Sequence, residues 1–399
     1  MKGFALAVMM FTGFLSVGCS QLEKKTTEIK EKISAQNTAR REFSMERVWV
    51  RRTTQSDILR FRKLNRMTPV LFKNLVIAGN PHDGLVAYDQ ESGRLVWRRS
   101  IELGVEPSAT LINDRLFIGA NDGQFYSINA GDGNILWSFP TRIDVLSEPL
   151  LVDGVLYILT GNNALYALDA ASGRQIWQYS RQDLTAFTIR GGSKPVFRNG
   201  NIIVGFSDGF LVSLLASSGA VKWEKQLSRN KKFRDVDADP ILDGDVLYIS
   251  AFDEKTYAIR AATGDVVWTE DVSGYGKPVL FGKQLFVATS SGKVVALEKD
   301  SGKKLWTYSL PRQESSSAGF ASLGGVLRGL LIVGESNGSL VALDVTNGRK
   351  IQAYTPGRGI FAPPRISEAD NAVYFISNES NLYKMRVGWG PKPIIPYLE

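Results

Sequence analysis

The chain repeats itself, and that constrains it more than any other feature. A unit typified by GNNALYALDAASGRQIW, Gly161 to Trp177, recurs along most of the sequence. Further copies are LVAYDQESGRLVW ending at Trp97, FYSINAGDGNILW at Trp137, LVSLLASSGAVKW at Trp223, TYAIRAATGDVVW at Trp268, VVALEKDSGKKLW at Trp306 and LVALDVTNGRKIQ at Gln352. Leu165–Leu168 and Arg174–Trp177 are apolar runs too short for a helix, so both read as strands. Between them Asp169 is suited to accept backbone amides two or three residues on, and Gly173 to take the positive φ that closes the loop. Each copy therefore encodes a hairpin ending in a tryptophan, except the last, which has Gln352 where the tryptophan belongs. A tryptophan buries roughly 150–250 Å², and a lone hairpin has nothing to bury it against. The copies must dock on one another.

Successive tryptophan positions, from Trp49 through Gln352, are 48, 40, 40, 46, 45, 38 and 46 residues apart. The segments between hairpins contain further strands, such as VLYILT at Val155–Thr160 and VLYISA at Val246–Ala251, which brings each unit to four. A four-stranded repeat of this length is the period of a β-propeller. Eight first-hairpin strands (LVAY, FYSI, LYAL, LVSL, TYAI, VVAL, LVAL, LYKM) match eight tryptophan-position strands once ERVWV around Trp49 is included. The expected fold is all-β: an eight-bladed propeller of four-stranded antiparallel blades over residues 45–399, with the N-terminal strand closing the last blade. A length of 399 residues would otherwise suggest two or three domains, but one repeated unit overrides that expectation. With 44% hydrophobic and 22% charged residues and 38 glycines, the composition is that of a folded β protein.

Residues 1–18 have the pattern of a signal peptide, with Lys2 followed by an apolar run from Phe4 to Leu15. Gly18–Cys19 resembles the bacterial lipobox, which implies cleavage before a lipidated Cys19, although Ser16 stands where a large aliphatic residue is usual. An ordinary secretory signal cut elsewhere is the alternative. Cys19 is the sole cysteine, so no disulfide is available. Acyl chains there would anchor the protein at ~0.8 kcal/mol per buried methylene, and Ser20 in place of Asp favours the outer membrane. Residues 19–44 form a polar tether whose flexible reach is roughly 25–30 Å. A short amphipathic helix through Leu22, Ile29 and Ile33 is the other reading.

Extra residues interrupt the repeat in four places: Arg51–Arg66, Ser180–Ser193, Leu227–Asp239 and Leu310–Gly325. All four follow a tryptophan strand and precede the next unit, so they emerge on one face, where binding is usually placed. The repeat [LV]xALDxxxGxxxW resembles that of the quinoprotein, or PQQ-like, propellers. More narrowly, the lipobox, the eight units and two interblade segments resemble the BamB family, lipoproteins of the bacterial β-barrel assembly machinery. One family segment, Leu-x-Leu-Arg-Gly, is matched by Phe187, Thr188, Ile189, Arg190 and Gly191. The other, Asp-x-Asp, is matched by Asp235, Val236 and Asp237. The resemblance implies that Phe187, Ile189, Arg190, Asp235 and Asp237 dock on the periplasmic POTRA domains of BamA. Arg190 beside the two aspartates is chemically suited to a hot spot; equally, it would brace the loops internally. Lys231, Lys232 and Arg234 sit beside Asp235, placed to steer an acidic partner.

Other chemistry is sparse. A single histidine, His82, excludes a histidine-based metal cluster or a histidine-dependent triad. Asp122, Asp208 and Asp253 fall in expected turns, and the chain lacks the vicinal cysteine pair of PQQ dehydrogenases. Net charge is +8 with a pI near 9.3, which permits attraction to anions, while export argues against nucleic acid. The expected function is non-catalytic and needs no cofactor or metal: an outer-membrane lipoprotein facing the periplasm, bound to BamA and other components of the assembly machinery, and assisting unfolded outer-membrane proteins. The alternatives are a small PQQ-dependent oxidoreductase, or a propeller that binds envelope polysaccharide or protein.

Overall fold

The computed structural model describes residues 41–55, 64–145, 147–181, 193–228, 236, 238–251, 255–274, 276–311 and 319–391. They belong to two compact units, Met45–Val387 and a smaller one formed by the two ends of the chain. In the smaller unit the rings of Phe43 and Trp389 meet edge-on with centroids 5.5 Å apart, and Ser44 Oγ donates to the Gly388 carbonyl at 3.5 Å.

The described strands form eight four-stranded antiparallel sheets. Numbered by the residue that opens the innermost strand, the blades begin at Val70, Thr110, Leu150, Val196, Ile241, Val279, Ala321 and Arg365. Blade 3 shows the pattern: Leu150–Val152, Val155–Leu159, Ala164–Asp169 and Gln175–Ser180 pair in that order, with Tyr157 opposite Ala167 and Ala167 opposite Trp177. The last blade differs in chain order, because Arg41–Arg52 is its outermost strand and pairs with Asn381–Pro391. The N-terminal strand closes the ring, as the count of half-hairpins required.

Why middle strands such as VLYIL are apolar throughout, rather than alternating, follows from their neighbours. Both faces of each sheet are covered by adjacent blades, so there is no solvent face to reserve for polar residues. Each core cluster accordingly draws on consecutive blades. Tyr157, Leu165 and Ala167 of blade 3 pack with Ile202, Val204 and Phe206 near blade 4, and Trp49 packs with Val76, Val86 and Tyr374 where the last blade meets the first.

The tryptophans make the blade-to-blade joint. Trp97 lies against Gly133 of the next hairpin turn, where an added Cβ would fall 2.6 Å from the indole, and Gly133 has φ +73°. Its indole N–H donates to the Ala130 carbonyl at 3.1 Å. The same pair of contacts recurs for Trp49, Trp137, Trp177, Trp223, Trp268 and Trp306, which sit on Gly93, Gly173, Gly219, Gly264, Gly302 and Gly348 and donate to Gln90, Ala170, Ala216, Ala261, Lys299 and Val345. Gln352 is the exception for a topological reason. An indole at that position would need the turn between the third and outermost strands of blade 8, and those two strands are opposite ends of the chain.

Turn aspartates complete the hairpins. Asp169 Oδ1 accepts the Ser172 amide at 2.8 Å and its hydroxyl at 2.6 Å, and Asp89 does the same with Ser92. The Ser92 hydroxyl, then its amide and the Asn74 side chain, hold the Asp89 carboxyl down at about 2. A carboxyl depressed on folding stabilises above its unfolded pKa, and that contribution disappears as pH falls through the folded value. Thermal melts should therefore show Asp89→Asn costing stability at neutral pH and the wild-type advantage vanishing between about pH 4 and pH 2; a pH-independent difference would exclude this role.

Candidate functional site

Each blade starts at its innermost strand and ends at its outermost after three antiparallel reversals, so every interblade connection lies on the face that also carries the turn between second and third strands. Phe187, Ile189, Arg190, Asp235, Asp237 and Cys19, the residue expected to carry lipid, lie outside the described residues, as does Asp253. What the structure describes is the pair of connections at their roots.

Both connections are rooted on one turn of blade 4, Phe206–Phe210. The first starts at Arg181, whose guanidinium bonds Asp208 through Nε at 2.6 Å and Glu224 through Nη1 at 2.8 Å, and also donates to the Tyr179 hydroxyl at 3.0 Å. It lies over the Phe210 ring at 4.6 Å and the Phe206 ring at 5.8 Å. The second connection leaves at Leu227 and Ser228, whose amides donate to the Gly209 carbonyl at 2.9 and 3.2 Å. It returns through Val236, fully buried, whose amide donates to the Phe206 carbonyl at 3.3 Å. Gly205 permits that approach, since a Cβ there would sit 2.4 Å from the Val236 carbonyl oxygen.

The distal roots also meet. The Lys194 amide, at the end of the first connection, donates to Asp239 Oδ1, at the end of the second, at 2.8 Å. The Lys194 ammonium pairs with Glu148 Oε1 of the preceding interblade connection. Burial pushes the Asp239 carboxyl up to about 6; the Lys194 amide bond opposes this, Glu148 adds to it, and the charges of Lys277 and Lys194 oppose it. Charged side chains from three consecutive interblade segments thus tie the two predicted docking connections together where they enter their blades.

A family model described as outer membrane protein assembly factor BamB matches residues 81–308, more than half of the chain. The chain belongs to the BamB family. Curated BamB relatives include one from Kangiella koreensis, 37% identical over 256 residues that cover 63% of this chain and 62% of that protein. Another, from Shewanella oneidensis, is 25% identical over 232 residues, 53% of this chain and 58% of that protein. The chain thus spans about three-fifths of the length of these relatives. The crystal structure of BamB from Moraxella catarrhalis superposes with a TM-score of 0.73 at 18% identity, over 86% of this chain and all of that one. The quinohemoprotein alcohol dehydrogenase from Comamonas testosteroni reaches 0.65 at 14% identity, over 89% of this chain and 78% of that one. At such identities these structures show the fold alone.

Several charged residues at the roots of the interblade connections escaped sequence reasoning. Glu148, Lys194, Asp239 and Lys277 each stand directly before a proline that immediately precedes an innermost strand, at Pro149, Pro195, Pro240 and Pro278. Aligning the repeats on those prolines would have exposed the charged column. Arg181 had a weaker signal, because its partners Asp208 and Glu224 lie 27 and 43 residues away. The turn role expected of Asp122 and Asp208 is present: they accept the amides of Gln124 at 3.0 Å and Phe210 at 3.2 Å.

Proposed function

We propose that this protein is a non-catalytic scaffold of the β-barrel assembly machinery, held on the periplasmic face of the outer membrane by lipid on Cys19, and that it binds the POTRA domains of BamA through the two connections rooted on Phe206–Phe210. The observation that carries the reading is the family match over residues 81–308. It is supported by the anchoring of both connections to one rigid turn and to each other through Lys194 and Asp239, because a docking surface gains affinity when its loops are preorganised. Assistance to unfolded outer-membrane proteins is consistent with the outermost strands, which are open sheet edges carrying exposed apolar residues such as Leu95, Val96, Ile135 and Ile176. Edges of that kind accept an extended chain as an added strand.

The test is affinity capture of the full-length protein from solubilised envelopes, beside Arg190→Glu. BamA is expected with the wild type and at least tenfold less with the variant, about the loss of one charged hot spot. Absence of BamA from the wild-type capture sinks the function. Undiminished capture by Arg190→Glu moves the site elsewhere. A tight 1:1 complex with PQQ and Ca²⁺ in an absorbance titration would favour the oxidoreductase reading instead.

A further inference from the structure

Around the propeller axis, residues near the start of most innermost strands reach to a neighbouring blade and form a collar. The Thr68 amide donates to Ser108 Oγ at 3.2 Å, Thr110 Oγ1 to Glu148 Oε1 at 3.5 Å, and the Lys194 amide to Asp239 at 2.8 Å. Lys194 and Glu148 pair between blades 3 and 4. Ser322 Oγ donates to the Ala362 carbonyl at 3.2 Å, and Arg365 Nε to the Pro69 carbonyl at 3.0 Å, which carries the collar through blade 8 to blade 1. It breaks at blade 6. Lys277 occupies the collar position there, and among the described residues its ammonium has no hydrogen bond or ion pair, although it lies close enough to Asp239 to act on its charge.

A cavity of about 460 Å³ lies within the collar, lined among others by Asp239, Lys277, Pro278, Phe361, Pro364 and Arg365. That volume is within the roughly 300–1,000 Å³ of small-molecule sites. Its charges do not cancel. Arg66 at the wall faces Glu106 at 3.8 Å, and Glu148 is neutralised by Lys194. The remainder is the Lys277 ammonium, the Arg365 guanidinium with only Nε engaged among the described residues, and one oxygen of Asp239, whose other oxygen holds the Lys194 amide. Two cations and one carboxyl lining the same recess leave it a net positive charge, which concentrates anions.

We propose that this axial cavity binds a small organic anion, with Lys277 and Arg365 supplying the positive charge and Phe361 and the proline rings packing against its apolar part. Asp239 opposes the anion when ionised and ceases to when protonated. Its surroundings, Glu148 from before blade 3, Lys194 from before blade 4 and Lys277 from before blade 6, place that change near pH 6. Binding therefore tightens as pH falls through that value.

Titration calorimetry of the full-length protein with isophthalate, an aromatic dicarboxylate, tests this. One-site binding is expected, about tenfold tighter near pH 5.5 than near pH 7.5, the change that one pKa unit of interaction with Asp239 produces. Lys277→Gln and Arg365→Gln should each weaken binding by about tenfold or more, as loss of a charge-assisted contact does. Asp239→Asn should bind at the higher pH as the wild type does at the lower. Near-UV circular dichroism confirms that the variants are folded, and BamA capture by Lys277→Gln separates this site from the docking connections. Absence of binding at millimolar isophthalate, or affinity unchanged in both cation variants, overturns the proposal.

Discussion

Removing residues 45–52 is expected to abolish the cooperative unfolding transition of the propeller. The deletion takes out most of the outermost strand of blade 8 and leaves the strand beginning at Asn381 as an open edge beside the apolar side chains of Leu382, Met385 and Val387. It also removes the contacts that fasten the last blade to the first: Trp49 Nε1 to the Gln90 carbonyl at 3.0 Å, Arg51 Nε to the Gly93 carbonyl at 2.6 Å, and the Tyr88 hydroxyl to the Arg52 carbonyl at 2.5 Å. Loss of the buried Trp49 alone costs ~3–5 kcal/mol, and a whole domain is stable by only ~5–15 kcal/mol. Calorimetry and denaturant melts should show a broad, low-temperature transition or aggregation through the exposed edge. Adding a peptide of residues 45–55 in trans should restore part of the transition. A truncated protein that melts like the wild type would show that ring closure does not depend on this strand.

Trp97→Ala should destabilise the propeller by ~3–5 kcal/mol, the range for truncating a buried aromatic side chain. Trp97 is 8% exposed, donates to Ala130 and covers Gly133. Gly133→Ala should also destabilise, through the positive φ and through a Cβ placed 2.6 Å from the indole. The two changes should not add. Once the indole is gone the alanine meets only the backbone penalty, of order 1 kcal/mol, so the double variant falls short of the sum. Chemical denaturation of the four proteins completes this cycle, and simple additivity would dissolve the proposed joint. Gln352→Trp is the complementary case and should give no comparable gain, because blade 8 has no turn to receive the ring.

How much could be read in advance differs between fold and site. Fold was legible because related local chemistry is written seven times: a glycine that takes positive φ in every hairpin turn, an aspartate that binds its own turn at Asp89, Asp169 and Asp344, and in six of the seven copies a tryptophan that must find a neighbour. Even the closing strand could be inferred, since an unpaired ERVWV and an unpaired NLYKM are complementary halves of one blade. The proposed docking residues became visible only through family resemblance, because Phe187–Gly191 and Asp235–Asp237 lie where the repeat is interrupted and periodicity carries no information. The anchors of those connections were less visible still. Arg181 finds Asp208 and Glu224 across a blade boundary, and Lys194 finds Asp239 at a separation of 45 residues.

What the sequence determined by itself is therefore everything that depends on short-range chemistry repeated in register: the hairpins, their turns, the period, the number of blades and the need for each tryptophan to dock. Tertiary structure alone decided which charges meet. Closing eight units into a ring brings residues roughly one repeat apart to the same height around an axis, so that Glu148, Lys194, Asp239 and Lys277 become neighbours or near neighbours in a collar. Coulomb interactions and burial depend on that distance in space rather than on distance along the chain. For the same reason it took the closed ring to bring Asp239 and Lys277 of that column to one cavity with Arg365, which follows Pro364.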